Sequence, residues 1–184
     1  IKNAPYVLNL DPAVLKVPYG ANIDIRDTVD YKGVMKTYGL GPNGAILTAL
    51  NLSTTKFGQV LDLIEQKDQE YILWDTPGQI ELFAYRSSGR FVTENILSEE
   101  KMNIFLFDGA LITTPVNFVS IALLATSIRL RLNLPTINAI TKTDLIGSKL
   151  KDILEWSSNL KLLEDAIAKE ADGETYSLTT NILR

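Results

Sequence analysis

The chain has 184 residues, a net charge of −4, 46% hydrophobic and 22% charged residues, and neither cysteine nor histidine. That is enough for one globular domain with a sizeable core, and the missing cysteines exclude disulfides and thiolate zinc sites and fit a cytoplasmic chain. Without histidine, any hydrolysis must draw on carboxylates, amides, backbone groups and metal ions, and the negative charge without a long basic run argues against a nucleic-acid partner.

In chain order, residues 6–10 form a first apolar run of strand length, closed by Asp11-Pro12-Ala13. Taken alone, Asp11 is a turn residue fixed by Pro12. Asp24, Arg26 and Asp27 read either as a solvated charged loop or as a segment that orders around a triphosphate. Asp27 or Thr28 is placed to cap a short helix running to Tyr38, with Gly39 as its stop. Gly41-Pro42-Asn43-Gly44 is a turn before a helix, with proline presetting φ. That helix is expected over residues 45–66, with Ile46, Leu50, Leu61 and Ile64 on one face and a kink at Gly58.

A second strand is expected at 71–74, ending at Asp75. Helix follows over 79–97, interrupted near Ser87-Ser88-Gly89. A third strand covers 103–107 and ends at Asp108, which reads as a turn or capping residue. A helix over 117–133, rich in Ile, Leu and Ala, is closed by Leu134-Pro135. A fourth strand at 136–140 leads into Thr141-Lys142-Thr143-Asp144. Two or three amphipathic helices fill 145–184, broken at Gly147-Ser148 and Asp172-Gly173. Trp74 and Trp156 read as packing residues. No apolar run is read as long enough to cross a membrane, and no leader segment is visible, so no membrane partner is expected.

Short apolar runs alternating with helical periods predict an α/β fold. Its sheet is mostly parallel, doubly wound, and flanked by helices on both faces, in a single domain over 1–184. The four strands read as buried, and each ends at or near an acid: Asp11, Asp75, Asp108 or Asp144. Ligands of such sheets bind beyond the carboxyl ends of the strands, so these acids are expected to face one crevice.

Two of these strand ends carry recognisable chemistry. In Asp75-Thr76-Pro77-Gly78-Gln79, the carboxylate can hold a magnesium ion, directly or through water. Gly78 lets its N–H approach a terminal phosphate, and Gln79 can orient an attacking water. A free carboxylate is a weak base, so positioning water is the safer role. The same stretch in isolation is equally an ordinary helix start with Pro77 in the first turn. Thr141-Lys142-Thr143-Asp144 resembles the guanine-reading Asn-Lys-x-Asp motif, with Thr in place of the leading Asn. Both oxygens of Asp144 can accept from guanine N1–H and N2–H₂, a donor pair adenine lacks. The Lys142 stem can lie over the purine face. The plain alternative is a polar loop in which Asp144 caps the next helix.

Leu10-Asp11-Pro12-Ala13, Pro18-Tyr19, Asp24-Ile25-Arg26-Asp27, Gly41-Pro42-Asn43 and Asp75-Thr76-Pro77-Gly78-Gln79 occur in the order that closely resembles the GPN-loop GTPases. The resemblance runs from about Tyr6 to Asp144. It implies a P-loop NTPase fold, GTP/GDP and Mg2+ as ligands, and GTP hydrolysis by a homodimeric nucleotide switch. It also implies that Asp11 contacts the magnesium shell. The Gly41-Pro42-Asn43 turn would cross the dimer interface, so that Asn43 reaches the partner's phosphate side. Eukaryotic relatives are associated with RNA polymerase assembly, which makes that machinery the expected client.

The chain departs from the family in one respect: it contains no Gly-x-x-x-x-Gly-Lys-[Ser/Thr] phosphate loop, which would precede residues 5–10. The expectation is that the chain starts downstream of that loop and also stops short of a final strand. The competing expectation is a non-enzymatic, dimerising scaffold of the same family that has lost nucleotide binding. A deviant ATPase of the same class is a third reading, which Asp144 opposes.

Overall fold

The computed structural model describes residues 4–65, 69–96, 98 and 100–183. The expected helix ends at 66, 97 and 184 lie outside the described residues. The chain divides into two compact units, Ile1–Glu99 and Glu100–Arg184, each considered by itself.

The first unit is built on a parallel sheet of order β2-β1-β3: β1 is Tyr6–Asn9, β2 Ile23–Asp24 and β3 Ile72–Asp75. Tyr6 to Asn9 pair in register with Ile72 to Asp75, so the two strands end side by side. The two-residue β2 lies within the charged loop, where no strand was expected; two residues are too few to show periodicity. A 3-10 turn at Ile25–Asp27 leads to α1 (Tyr31–Tyr38), which closes at Gly39 with φ of 61°. That left-handed conformation is the expected glycine stop.

α2 (Pro42–Thr54) begins with Gly41 as its N-cap and Pro42 in its first turn, where the missing N–H costs nothing. The expected long helix is two helices, broken at Thr55-Lys56 before α3 (Phe57–Glu65); Gly58 sits inside α3. The hydroxyls of Thr54 and Thr55 bond back to the carbonyls of Asn51 and Leu52, competing with continuation of the helix. The expected 79–97 helix is likewise divided, into α4 (Ile80–Ala84) and α5 (Ser87–Asn95). Val29, Val34, Ala45 and Ala49 form one buried cluster. Trp74 packs on Phe57 at 5.8 Å between ring centres, and Phe57 meets Phe91 edge-on at 5.7 Å.

The second unit carries β4 (Asn103–Asp108) and β5 (Thr136–Thr141), parallel and paired along their full length from Asn103–Thr136 to Asp108–Thr141. Between them α6 (Pro115–Leu132) starts at a Thr114 cap that accepts from the Asn117 N–H and ends at a left-handed Asn133. A 3-10 turn at Thr143–Leu145 leads to α7 (Lys149–Ser158), α8 (Leu160–Glu170) and α9 (Gly173–Leu183). The core joins Phe107, Ile112, Val119, Ile153, Trp156, Leu163 and Ile167, with Phe118 stacked between Phe107 and Trp156.

Two expectations need correction. The strands are not all buried: β1 ends in the enclosed Leu8 and Asn9, whereas Leu73 in β3, Ile104 and Leu106 in β4, and Ile137 in β5 are about half exposed. In β3 and β4 these exposed residues alternate with more covered ones, as the two-residue repeat of a strand requires. α6, moreover, is an 18-residue helix of mean hydropathy 1.3, long and apolar enough by length and composition to cross a membrane. In this fold its apolarity has another use, since Val119 and Ala125 line the core of the unit and Ile128 and Leu132 are also buried.

Ile153 is fully buried and its neighbour Leu154 is half exposed. Ile153→Ala should cost about 2–5 kcal/mol in urea unfolding, against less than about 0.5 kcal/mol for Leu154→Ala. Equal costs would mean that α7 does not face the core as described.

Candidate functional site

The carboxyl ends of β1 and β3 are locked together. The Leu10 N–H donates to the Asp75 carbonyl at 2.8 Å, so Asp11 leaves β1 beside Asp75. Asn9, fully buried, holds the group in place. Its amide donates to Asp24 Oδ1 at 3.1 Å and to the Asp11 carbonyl at 3.3 Å, and its Oδ1 accepts from the Asp11 N–H at 3.0 Å. A buried amide with partners on both ends fixes its surroundings instead of straining them. Asp11 Oδ1 accepts from the Ala13 N–H at 2.8 Å, the expected turn before the loop.

Arg26 ties the next loop to this base. Its guanidinium grips Asp24 with two nitrogens, at 2.9 and 2.5 Å, and donates to the carbonyls of Val14 and Leu15 at 2.9 and 3.2 Å. The Arg26 fork holds the Asp24 carboxyl below the usual carboxylate range. Asp75 itself is exposed and accepts a hydrogen bond from the Tyr19 hydroxyl on Oδ2. Burial, then the bond to Asp75, push ionisation of Tyr19 upward.

Pro77 is buried, whereas Gly78 and Gln79 are exposed, with Gln79 as the N-cap of α4. No atom lies within 4 Å of where a Cβ would stand on Gly78, so its backbone is open to a ligand. Gly41, Pro42 and Asn43 are exposed at the head of α2, where the Tyr31 hydroxyl reaches the Pro42 carbonyl at 3.4 Å. Among the described residues no hydrogen bond or ion pair joins them to Asp11 or Asp75.

A magnesium ion takes oxygen ligands, usually one or two carboxylates with water and phosphate completing the shell. Asp11 and Asp75, at the ends of adjacent strands, supply that hard donor set. Among the described residues no cluster of three or more ligating side chains exists that would suit a metal held by protein alone. Two carboxylates near neighbouring strand ends are donors of the kind such an ion takes alongside water and phosphate.

In the second unit Thr141, at the end of β5, donates through Oγ1 to the Phe107 carbonyl at 3.1 Å. The Thr in place of Asn thus anchors this loop to the neighbouring strand. Lys142 follows in the left-handed region at φ of 53°, and Asp144 is exposed within the 3-10 turn. Lys142 Nζ donates to Asp108 Oδ2 at 2.6 Å. Asp108 is the turn residue expected, accepting from the Ala110 N–H at 3.0 Å. Its ion pair with Lys142 was not foreseen, although parallel pairing of β4 with β5 sets Asp108 beside Thr141. Asn9 was missed because its partners come from another strand and a loop.

Parallel strands with acids near their carboxyl ends, an exposed glycine turn in the first unit and a Lys-x-Asp loop in the second are features of nucleotide-binding α/β proteins. The family model described as "Conserved hypothetical ATP binding protein" matches residues 1–184. GPN-loop GTPase QQT2 of Arabidopsis thaliana is 46% identical over 172 residues, covering 92% of this chain and 45% of that protein. GPN-loop GTPase 1 of Saccharomyces cerevisiae is 46% identical over 174 residues, covering 93% of this chain and 45% of that protein. GPN-loop GTPase 3 of Kluyveromyces lactis is 30% identical over 183 residues, 96% of this chain and 68% of that protein. The crystal structure of PAB0955, a GTPase in apo form from Pyrococcus abyssi, superposes with a TM-score of 0.80 at 28% identity, covering 95% of this chain and 71% of that one. The chain belongs to the GPN-loop GTPase family, and it spans about half the length of the first two relatives.

The pH dependence of the Asp24 pair follows from its sign. The native carboxyl titrates below its unfolded value of about 3.9, so its contribution is present above that pH and is lost as pH falls through the native pKa. The drop in Tm caused by Asp24→Asn should be full at pH 6–7 and shrink as pH falls below about 4, the unfolded carboxylate value. Thermal melts of both proteins across that range would show it; a gap that stays constant with pH would refute the pairing as the source of the stability.

Proposed function

We propose that the chain carries the magnesium-facing, water-positioning and guanine-reading parts of a GTP-hydrolysing nucleotide switch. The observation that supports this best is Asp144, an exposed carboxylate directly after a parallel strand in a Lys-x-Asp loop. Two acceptor oxygens on one carboxylate match the adjacent N1–H and N2–H₂ donors of guanine, a pair that adenine lacks. This favours GTP over the ATP of the family model's description, and it agrees with the relatives' names.

Asp75 and Asp11 would hold Mg2+, which would supply neutralisation of the charge building on the phosphates. The Tyr19 hydroxyl and the β1–β3 pairing fix where the Asp75 carboxylate stands. Gly78 offers its N–H to the terminal phosphate, and Gln79 directs a water in line with the bond that breaks. Asn43, from a second copy of the chain, reaches the phosphate side and stabilises charge there, which makes turnover depend on homodimer closure. The cytoplasm as its location and RNA polymerase assembly machinery as its client belong to the same proposal and rest on the family resemblance alone.

Fluorescent GTP and ATP, with magnesium, should be titrated into this chain and into the chain with whatever its gene encodes upstream of Ile1. Guanine-selective binding is expected where a phosphate loop is present. Asp144→Ala should weaken it by at least about 100-fold, the loss of two charge-assisted hydrogen bonds. Gln79→Ala should leave affinity unchanged and slow turnover by about 100-fold. Equal affinity for GTP and ATP would sink the guanine assignment. No binding in either form would leave the dimerising scaffold as the function.

A further inference from the structure

Asp108 belongs to no part of the reaction just described, yet the second unit is built to bring it onto Lys142. Three contacts join the end of β4 to the end of β5. Thr141 Oγ1 donates to the Phe107 carbonyl at 3.1 Å, the Gly109 N–H donates to the Thr141 carbonyl at 3.0 Å, and Lys142 Nζ donates to Asp108 Oδ2 at 2.6 Å. Gly109 permits the approach: a Cβ there would stand 2.7 Å from the Thr141 carbonyl oxygen and 3.1 Å from Ile146 Cδ1. The Asp108 carboxylate is oriented from its other oxygen by the Ala110 N–H at 3.0 Å.

Lys142 is held from its backbone as well. Its left-handed conformation starts the 3-10 turn that contains Asp144, and its carbonyl accepts from the Leu145 N–H at 3.0 Å. A lysine free in solvent samples many rotamers, and fixing one costs entropy at the moment of binding. With Nζ on Asp108 that ordering is done before a ligand arrives, and Lys142 stands two residues before the base-reading acid.

We propose that Asp108 is a positioning residue for guanine recognition, holding Lys142 so that its stem forms a fixed apolar edge for the purine next to Asp144. The proposal rests on the reading that Asp144 binds guanine. The bond to Lys142, first among its causes, holds the Asp108 carboxyl below the usual carboxylate range, which agrees with a carboxylate kept charged for this purpose.

The test is a double-mutant cycle read as GTP affinity, in the form of the protein that binds GTP. Asn at 108 keeps the acceptor for Ala110 and removes the charge. Asp108→Asn should weaken GTP binding about two- to fivefold, the range of exposed ion pairs. Lys142→Met should do at least as much, and the double variant should be no weaker than Lys142→Met alone. Asp108→Glu, which keeps the charge, should recover most of the loss. Full additivity in the cycle, or a loss in Asp108→Asn traced to a fall in Tm and not recovered by Asp108→Glu, would overturn the role. Wild-type affinity in Asp108→Asn would overturn it while leaving guanine binding intact. Failure of the wild type to bind GTP would remove both.

Discussion

Parallel pairing with a fixed register is the constraint on which the candidate site residues at the strand ends depend. In the first unit the register sets Asn9 against Asp75, and in the second it sets Asp108 against Thr141. A slip of one residue would turn each of these side chains to the opposite face of its sheet. The buried neighbours resist that slip: Leu8 and Asn9 are fully enclosed in β1, and Phe107 is enclosed in β4. Packing of apolar residues in the strands thus determines where the acids stand at their ends.

Much of this was legible in the sequence because it is local. The strands begin where the apolar runs begin, within a residue, and Gly39, Asn133 and Pro42 punctuate the helices where glycine, asparagine and proline are suited to do so. An acid at each strand end also needed only the order of residues. What escaped is what depends on partners far along the chain. Asn9 looks like one more strand residue until β2 brings Asp24 to it. Arg26 looks solvated until its guanidinium meets the carbonyls of Val14 and Leu15. The hydropathy of α6 measures equally a membrane span and a helix with a buried flank, and only the neighbours of Val119 and Ala125 distinguish them.

The helix breaks show the same limit at shorter range. Gly58 and Ser87-Ser88-Gly89 were natural places to interrupt a helix by propensity. The breaks fall instead at Thr55-Lys56 and Tyr85-Arg86. At the first, hydroxyl groups that bond backward to i−3 carbonyls satisfy the ends locally, and Phe57 is then free to turn into the aromatic group with Trp74 and Phe91. Tertiary packing chose the position, with small costs in propensity outweighed by burial of a ring.

The acids at the strand ends divide by what they are bonded to. Asp24 and Asp108 are each paired with a cation, Arg26 or Lys142. Among the described residues Asp11, Asp75 and Asp144 have no ion pair. Asp75 is held only by a neutral hydroxyl, and Asp11 by a backbone N–H. An acid whose charge is matched within the protein gains little from a new cation or donor, whereas an unmatched one gains the full interaction. Charge pairing therefore separates the acids that build the scaffold from those left open to a ligand. In a chain without histidine, carboxylates without an ion pair offer oxygen acceptors, the atoms that a hard cation or a paired N–H donor would take.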